Sequence, residues 1–162
     1  MKILTKESRA WIITIMGKNR DMIVGQVMDH TIREQLANAR KVVIVSHIRP
    51  DGDAVGSALA FGNALREVGK EIQCVLQDGV AERYRYLPGA QEVTSEVSLD
   101  YDYLIVVDSA DSYRVGTVLD ALPKPDLVVD HHKTHIDFGK IDYVEAESEA
   151  TALLLTTKLP DW

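Results

Sequence analysis

The sequence predicts an α/β fold with a doubly wound, mainly parallel sheet and helices on both faces. Short apolar, β-branched runs alternate along the chain with segments of helical period, and this alternation is typical of parallel strands joined by crossover helices. Three of the predicted strands are followed at once by Asp or His residues, and ligands of such folds bind beyond the carboxyl ends of the strands. The length of 162 residues suits one domain.

The predicted elements follow one another from residue 21. Apolar residues spaced four apart indicate an amphipathic helix over 21–40. The run 41–46 is β-branched, as in a strand that is buried on both faces. A polar turn comes next, and then a helix over 54–68 that ends at Gly69. The remaining predictions are strands over 72–76, 101–107, 127–129 and 141–144, a short helix over 81–86, and a last helix over 150–157.

The net charge and the cysteine content of the chain argue against some classes of function. Lys plus Arg number 18 against 25 Asp plus Glu, so the formal net charge is −7. This charge gives no general attraction to nucleic acid, because non-specific binding depends on basic contacts to phosphates. A phosphate ligand would need local neutralisation, and bound cations are candidates for it. The single cysteine, Cys74, excludes an intramolecular disulfide and a thiolate zinc site, and it is expected to be a buried hydrophobe within a strand.

The N-terminal segment 1–20 has no clear hydrophobic period and is expected to be peripheral to the α/β core. Basic residues precede a short apolar run there, but no small-residue cleavage pattern follows, so export is not predicted. No stretch approaches the ~20 apolar residues of a membrane span. Low cysteine usage agrees with the reducing cytoplasm, which is the expected location.

Three strand ends carry the residues that point to chemistry. Each of these polar segments alone has an ordinary structural explanation, because Asp-Gly is common in turns and a buried histidine can have its hydrogen bonds satisfied within the core. Together at one sheet edge, several carboxylates repel one another, and divalent cations relieve that repulsion. Mixed oxygen and imidazole ligands suit Mn²⁺, Mg²⁺, Fe²⁺ or Zn²⁺. The residues are His47, Asp51 and Asp53 after the first strand, Asp108 after the second of these strands, and Asp130, His131 and His132 after the third.

These segments resemble the motifs of the DHH phosphoesterase superfamily. Its first motif is similar to 46–57 (SHIRPDGDAVGS), its second to 106–109 (VVDS) and its third to 129–132 (VDHH). Segments 137–139 and 147–152 also lie where the family has similar residues. The chain is most similar to the nanoRNase type, which combines oligoribonuclease and 3′-phosphoadenosine 5′-phosphate (PAP) phosphatase activities. Family II inorganic pyrophosphatases and RecJ-type exonucleases share the metal motifs and stay open as alternatives.

The resemblance implies a site for two metal ions, usually manganese, with Mg²⁺ or another divalent ion as the alternative. His47 and Asp51 would bind one ion, and Asp53 and His131 would bind the other. Asp108 would bridge the two ions. Two neighbouring cations can activate water and stabilise charge on phosphoryl oxygens. The implied reaction is the hydrolysis of phosphate esters.

Two further residues of the third motif have implied roles toward the substrate. His132 would face the substrate phosphate, and Asp130 would orient the neighbouring histidines from behind. The implied substrates are short oligonucleotides or nucleotide phosphates such as PAP, with no membrane partner. The sequence departs from the family at His135, where the family often has Asn.

The family usually continues into another strand, which supplies a further aspartate to the second ion, and then into a second, substrate-binding domain. This chain ends at Trp162, so a C-terminally truncated DHH domain over 21–162 with slow turnover is expected. An alternative from another class is a truncated metal- or nucleotide-binding module with little activity. Apolar surface left exposed by truncation would favour association, so a homodimer is also left open.

Overall fold

The computed structural model describes residue 22 and residues 24–162. Its helices and strands alternate along the chain as the sequence predicts. The first helix, α1, covers 24–38 of the described residues. The remaining elements are β1 (Lys41–Val45), α2 (Gly52–Glu67), β2 (Glu71–Val75), β3 (Tyr103–Val107), α3 (Ser112–Val115), β4 (Leu127–Asp130), β5 (Ile141–Val144) and α4 (Thr151–Lys158).

The five strands form one parallel sheet in the order β2-β1-β3-β4-β5. Val42 of β1, for example, pairs with Ile72 of β2 on one side and with Tyr103 of β3 on the other. The strand order therefore reverses between β1 and β3. Because crossovers between parallel strands are right-handed, this reversal sends the connections on its two sides to opposite faces of the sheet. The predicted doubly wound parallel sheet is confirmed.

Different elements cover the two faces of the sheet. The helices α1, α2 and α4 pack on one face, and the short α3, the 3₁₀ turn Leu119–Ala121 and several loops cover the other. Successive side chains of a strand point to opposite faces. Accordingly Val42 and Ile44 contact the three longer helices, whereas Val43 and Val45 contact the opposite layer. β1 is buried on both faces, as its β-branched sequence predicts.

The predicted strand bounds agree with the structure to within two residues. β3 begins later than predicted because Asp102 serves as a hydrogen-bond acceptor instead of a strand residue: its carboxylate accepts the N–H groups of Arg40 and Lys41. The short helix predicted over 81–86 is a 3₁₀ turn, Glu82–Tyr84. Cys74 is buried as expected, and burial raises the pKa of its thiol to about 11.

The segment 1–20 lies outside the described residues, and its peripheral position stays a prediction. Among the residues that the structure describes, no helix is both long enough and apolar enough to cross a membrane.

Gly116→Ala is expected to destabilise the protein more than Gly69→Ala. Both glycines have φ near +85°, where alanine costs about 1 kcal/mol, and Gly116 also has ψ at −165°, in a region that is essentially restricted to glycine and raises the cost there. A Cβ at Gly116 would overlap the side chains of Gln77 and Ile48, whereas open space surrounds Gly69. Overpacking adds about 1–3 kcal/mol, which lowers Tm by about 2–4 °C per kcal/mol in a chain of this size. Thermal unfolding measures both variants, and equal losses of Tm would contradict the steric argument.

Candidate metal centre

The carboxyl ends of β1, β3 and β4 bring all seven sequence-predicted side chains to one edge of the sheet. These strands are neighbours, and the strand order reverses between β1 and β3. Open α/β sheets bind ligands at such a reversal. The residues at this edge are His47, Asp51, Asp53, Asp108, Asp130, His131 and His132.

The turn after β1 is fixed by two kinds of hydrogen bond. The buried hydroxyl of Ser46 donates to the carbonyl oxygen of Val107 at 2.7 Å, which ties the end of β1 to the end of β3. Asp51 is the N-cap of α2, and its Oδ1 accepts the N–H groups of Asp53 and Ala54 at 3.0 and 3.1 Å. An N-cap satisfies amide groups that have no partner within the helix. The same cap places the Asp51 carboxylate at the site.

His47 is buried and aims one ring nitrogen at two carboxylates. Its Nδ1 lies 2.8 Å from the carbonyl oxygen of Ile48, and because a carbonyl only accepts, Nδ1 is the donor. Its Nε2 lies 3.6 Å from Oδ2 of Asp108 and 3.9 Å from Oδ1 of Asp51. Hydrogen bonding with Asp108 raises the pKa of His47, while burial opposes the rise.

Asp108 lies between the two halves of the site. Its backbone is left-handed, with φ at 56°, a conformation that is uncommon outside glycine and is concentrated at functional sites. Its Oδ2 faces His47, as described above, and its Oδ1 lies 3.7 Å from Nε2 of His131. The same Oδ1 accepts the hydroxyl of Thr151 at 3.0 Å. The two oxygens thus face different histidines, which is the arrangement that a bridging ligand needs.

His131 and Asp53 form the other half of the site. Nε2 of His131 lies 3.6 Å from Oδ2 of Asp53, and its Nδ1 donates to the carbonyl oxygen of Ser148 at 3.2 Å. Asp53 also accepts the N–H groups of Thr151 and Ala152 at 2.9 and 2.8 Å. The first turn of α4 therefore orients the Asp53 carboxylate, and a helix N-terminus favours a negative charge there.

Thr151 and Ser148 have no predicted role from the sequence, yet both contact the site. Thr151 contacts two of the candidate ligands, and the carbonyl of Ser148 fixes the His131 ring. The signal that could have found both residues is the segment 147–152, which matches the family but has no metal-binding side chain type at either position.

Asp130 is completely buried behind the site. It accepts Nδ1 of His132 and Nδ1 of His135, both at 2.7 Å. Burial alone raises the pKa of Asp130, but the hydrogen bonds with His132 and His135 outweigh it and hold that pKa below its usual value. The side chains that Asp130 orients are those of His132 and His135, whereas the His131 ring is held by Ser148. The expected orientation of both neighbouring histidines by Asp130 therefore holds for His132 and not for His131.

The donor set fits divalent cations. Two groups of candidate ligands have their ligand atoms within 4.8 Å of one another and share Asp108: one also contains His47 and Asp51, and the other His131 and His132. Nδ1 of His47 and Nδ1 of His131 each donate to a carbonyl oxygen, and Nε2 of each ring lies 3.6–3.9 Å from carboxylate oxygens. A divalent cation between these atoms would be bound by imidazole and carboxylate together. Imidazole and carboxylate are the donors that first-row divalent ions accept.

Comparison with known proteins identifies relatives with activity on nucleotides. The bifunctional oligoribonuclease and PAP phosphatase NrnA of Thermus thermophilus is 34% identical over 118 residues, which are 70% of this chain and 35% of that protein. The cyclic-di-AMP phosphodiesterase GdpP of Geobacillus thermodenitrificans is 27% identical over 163 residues, covering 88% of this chain and 24% of that protein. The chain thus spans about a third or less of the length of these two relatives.

A solved structure shares the fold. The exopolyphosphatase-related protein from Bacteroides fragilis superposes with a TM-score of 0.74 at 22% identity, over 83% of this chain and 43% of that one. The family model of the DHH family, N-terminal domain, matches residues 41–159, a span that includes all seven residues of the site. The predicted resemblance is confirmed by these matches: the chain belongs to the DHH family of phosphoesterases and carries its N-terminal domain.

Proposed function

We propose that this chain is a metal-dependent phosphoesterase domain that hydrolyses short oligonucleotides or nucleotide phosphates such as PAP. The observation that carries the proposal is the position of Asp108 as the shared member of two groups of candidate ligands, at the reversal of the strand order. The nucleotide phosphoester substrates in the names of two relatives support this substrate class.

The proposed ligands are His47 and Asp51 for one ion and Asp53 and His131 for the other, with Asp108 between them. Manganese is the proposed ion, and Mg²⁺ is the alternative. When bound, such ions supply Lewis acidity toward phosphoryl oxygens and a nucleophile from water. The three proposed ligand carboxylates do not neutralise two divalent cations, so the ions would leave this ligand set with a net positive charge. This local charge explains how a chain of net charge −7 can attract a phosphate.

His132 is proposed to contact the substrate phosphate. Its Nδ1 donates to Asp130, so its Nε2 is the nitrogen left for a ligand. A protonated Nε2 can donate to a phosphoryl oxygen, and the buried Asp130 carboxylate stabilises that charged ring. The proposed role of Asp130 is therefore to orient His132 and to support its positive charge.

The proposed domain covers 21–162, beyond the matched residues 41–159. Ile32 and Leu36 of α1 are buried in the core between helices and sheet, so α1 belongs to the folding unit. The cytoplasmic location stays a prediction.

A hydrolysis assay with four substrates tests the proposed function. A 5′-phosphorylated dinucleotide, PAP, a cyclic dinucleotide and pyrophosphate are each incubated with the chain and Mn²⁺. We expect cleavage of a nucleotide phosphoester, its loss in EDTA and its recovery when Mn²⁺ is restored. Cleavage of pyrophosphate alone would indicate a pyrophosphatase, and Mn²⁺ binding without cleavage of any substrate would indicate a binding module.

In the same assay, His132→Asn is expected to lower kcat by about 10²-fold or more. The asparagine amide can still donate to Asp130 from near the position of Nδ1, but the variant has no Nε2 for the substrate. Mn²⁺ affinity should be unchanged, since His132 is not a proposed ligand. His30→Asn is the matched control, because His30 lies exposed on α1. An unchanged kcat in His132→Asn would contradict the role of His132.

A further inference from the structure

His135 lies behind the proposed site, in the loop between β4 and β5, with 5% of its side chain exposed. Its Nδ1 is 2.7 Å from Oδ2 of Asp130, and its Nε2 is 3.1 Å from Oδ1 of Asp142. Ionised carboxylates only accept, so the two contacts are satisfied together when both ring nitrogens donate, that is, when the ring is an imidazolium between two carboxylates. Burial lowers the pKa of His135, but the hydrogen bonds to Asp130 and Asp142 outweigh it and raise that pKa.

The outer end of this bridge is anchored on the backbone. Asp142 accepts the N–H groups of Phe138 and Gly139 at 3.0 and 3.1 Å. The Phe138 ring stacks on His135, with ring centroids 5.8 Å apart and an interplanar angle of 28°. His135 also forms a group of candidate metal ligands with Asp137 and Asp142. Because both its ring nitrogens are already bonded to carboxylates, the group is a structural bridge and not a third metal site.

On the side of the proposed site, the two oxygens of Asp130 accept hydrogen bonds from different histidines. Oδ1 accepts from His132 and Oδ2 accepts from His135. Rotation of the carboxylate about its Cβ–Cγ bond would carry Oδ1 away from His132. The contact between Oδ2 and His135 opposes that rotation, so His135 fixes the direction in which Asp130 holds the His132 ring.

We propose that His135 is a positioning residue: it locks the Asp130 carboxylate so that His132 presents its Nε2 to the substrate phosphate. This inference rests on the proposed function for the role of His132. The contact of Nδ1 with Asp130 carries the positioning, and the contact of Nε2 with Asp142 contributes stability alone. The positioning therefore runs from His135 through Asp130 to His132.

Two substitutions separate the two contacts. His135→Asn keeps an amide donor near the position of Nδ1, so it preserves the bond to Asp130. His135→Gln keeps a donor near the position of Nε2, so it preserves the bond to Asp142. We expect kcat within about threefold of wild type for His135→Asn and a loss of about tenfold or more for His135→Gln, because misplaced catalytic groups are costly. A purely structural role would give both variants the same activity.

A spectroscopic readout on the metal-free chain accompanies the assay. The ring proton on Nδ1 of His132, hydrogen-bonded to Asp130, should give a low-field NMR signal in wild type and in His135→Asn, and the signal should be lost in His135→Gln. Asp142→Asn keeps an acceptor for His135 and should also retain the signal. His30→Gln is the matched surface control and should leave the signal and kcat unchanged.

The outcomes distinguish this inference from the proposed function. If wild type cleaves none of the substrates, the proposed function fails, and the NMR signal alone decides the positioning role. If wild type is active and the two His135 variants have equal kcat and equal signals, positioning by His135 is overturned while the function stands. If His135→Gln does not fold, His135→Asn decides, because loss of its His132 signal overturns the inference.

Discussion

Asp108→Asn is expected to weaken Mn²⁺ binding at both proposed positions while leaving the fold intact. The two oxygens of Asp108 face His47 and His131, so one neutral amide removes the charge that both ions would share. Substitution of residues that only orient ligands costs about 10–100-fold in metal affinity, so loss of a shared ligand should exceed about 100-fold for each ion. Isothermal titration with Mn²⁺ measures the two affinities.

The asparagine is chosen because it suits the backbone and the hydrogen bonds at this position. Asn tolerates the left-handed φ of Asp108, whereas alanine would add strain. Its oxygen can still accept from Thr151, and its amide can donate to Nε2 of His47. Tm in EDTA should therefore stay within about 3 °C of wild type. The exposed Asp120→Asn is the control for the charge change, and retention of wild-type affinity for either ion would disprove the bridging role.

His131→Asn is expected to reduce the number of bound Mn²⁺ ions from two to one. The variant removes Nε2, which faces Asp53 and Asp108, and it keeps an amide near Nδ1 that can donate to Ser148. The ligands of the other ion, His47 and Asp51, are untouched, so its affinity should change by less than about tenfold. Electron paramagnetic resonance of free Mn²⁺ gives the stoichiometry directly.

The same titration of His131→Asn can also contradict the proposed role of His131. Two ions bound to His131→Asn with wild-type affinities would exclude His131 as a ligand. Loss of both ions would show instead that the two positions fill only together. His30→Asn again serves as the matched control on an exposed histidine of α1.

The local pattern of the sequence accounts for the sheet and for the side chains at its edge. Val42 to Val45 form a continuous β-branched run, so strand β1 and its end before His47 can be located from the sequence alone. The same holds for β3 before Asp108 and for β4 at Asp130. Because the carboxyl ends of parallel strands meet at one edge, these residues were expected at that edge, and the strand order that makes β1, β3 and β4 neighbours comes from the structure.

The contacts made by the last third of the chain could not be predicted in this way. Thr151 and Asp53 are 98 positions apart in the sequence, and no local period encodes where α4 docks. The bridge of His135 between Asp130 and Asp142 depends on the path of the loop before β5. At the sequence level His135 was visible only as a departure from the asparagine common in the family.

The docking of α4 has a consequence for the energetics of the site. At its first turn the helix donates two amide groups to Asp53, and near its end Lys158 and Trp162 both contact Asp29 of α1. Ion binding at Asp53 and attachment of the helix would therefore be linked equilibria, and linkage is reciprocal. If a bound cation stabilises the attachment of α4 by a given free energy, then attachment of α4 strengthens cation binding by the same free energy. A cation bound at the proposed site would therefore be coupled to the docking of α4, although the helix contributes no side chain to the proposed ligand set.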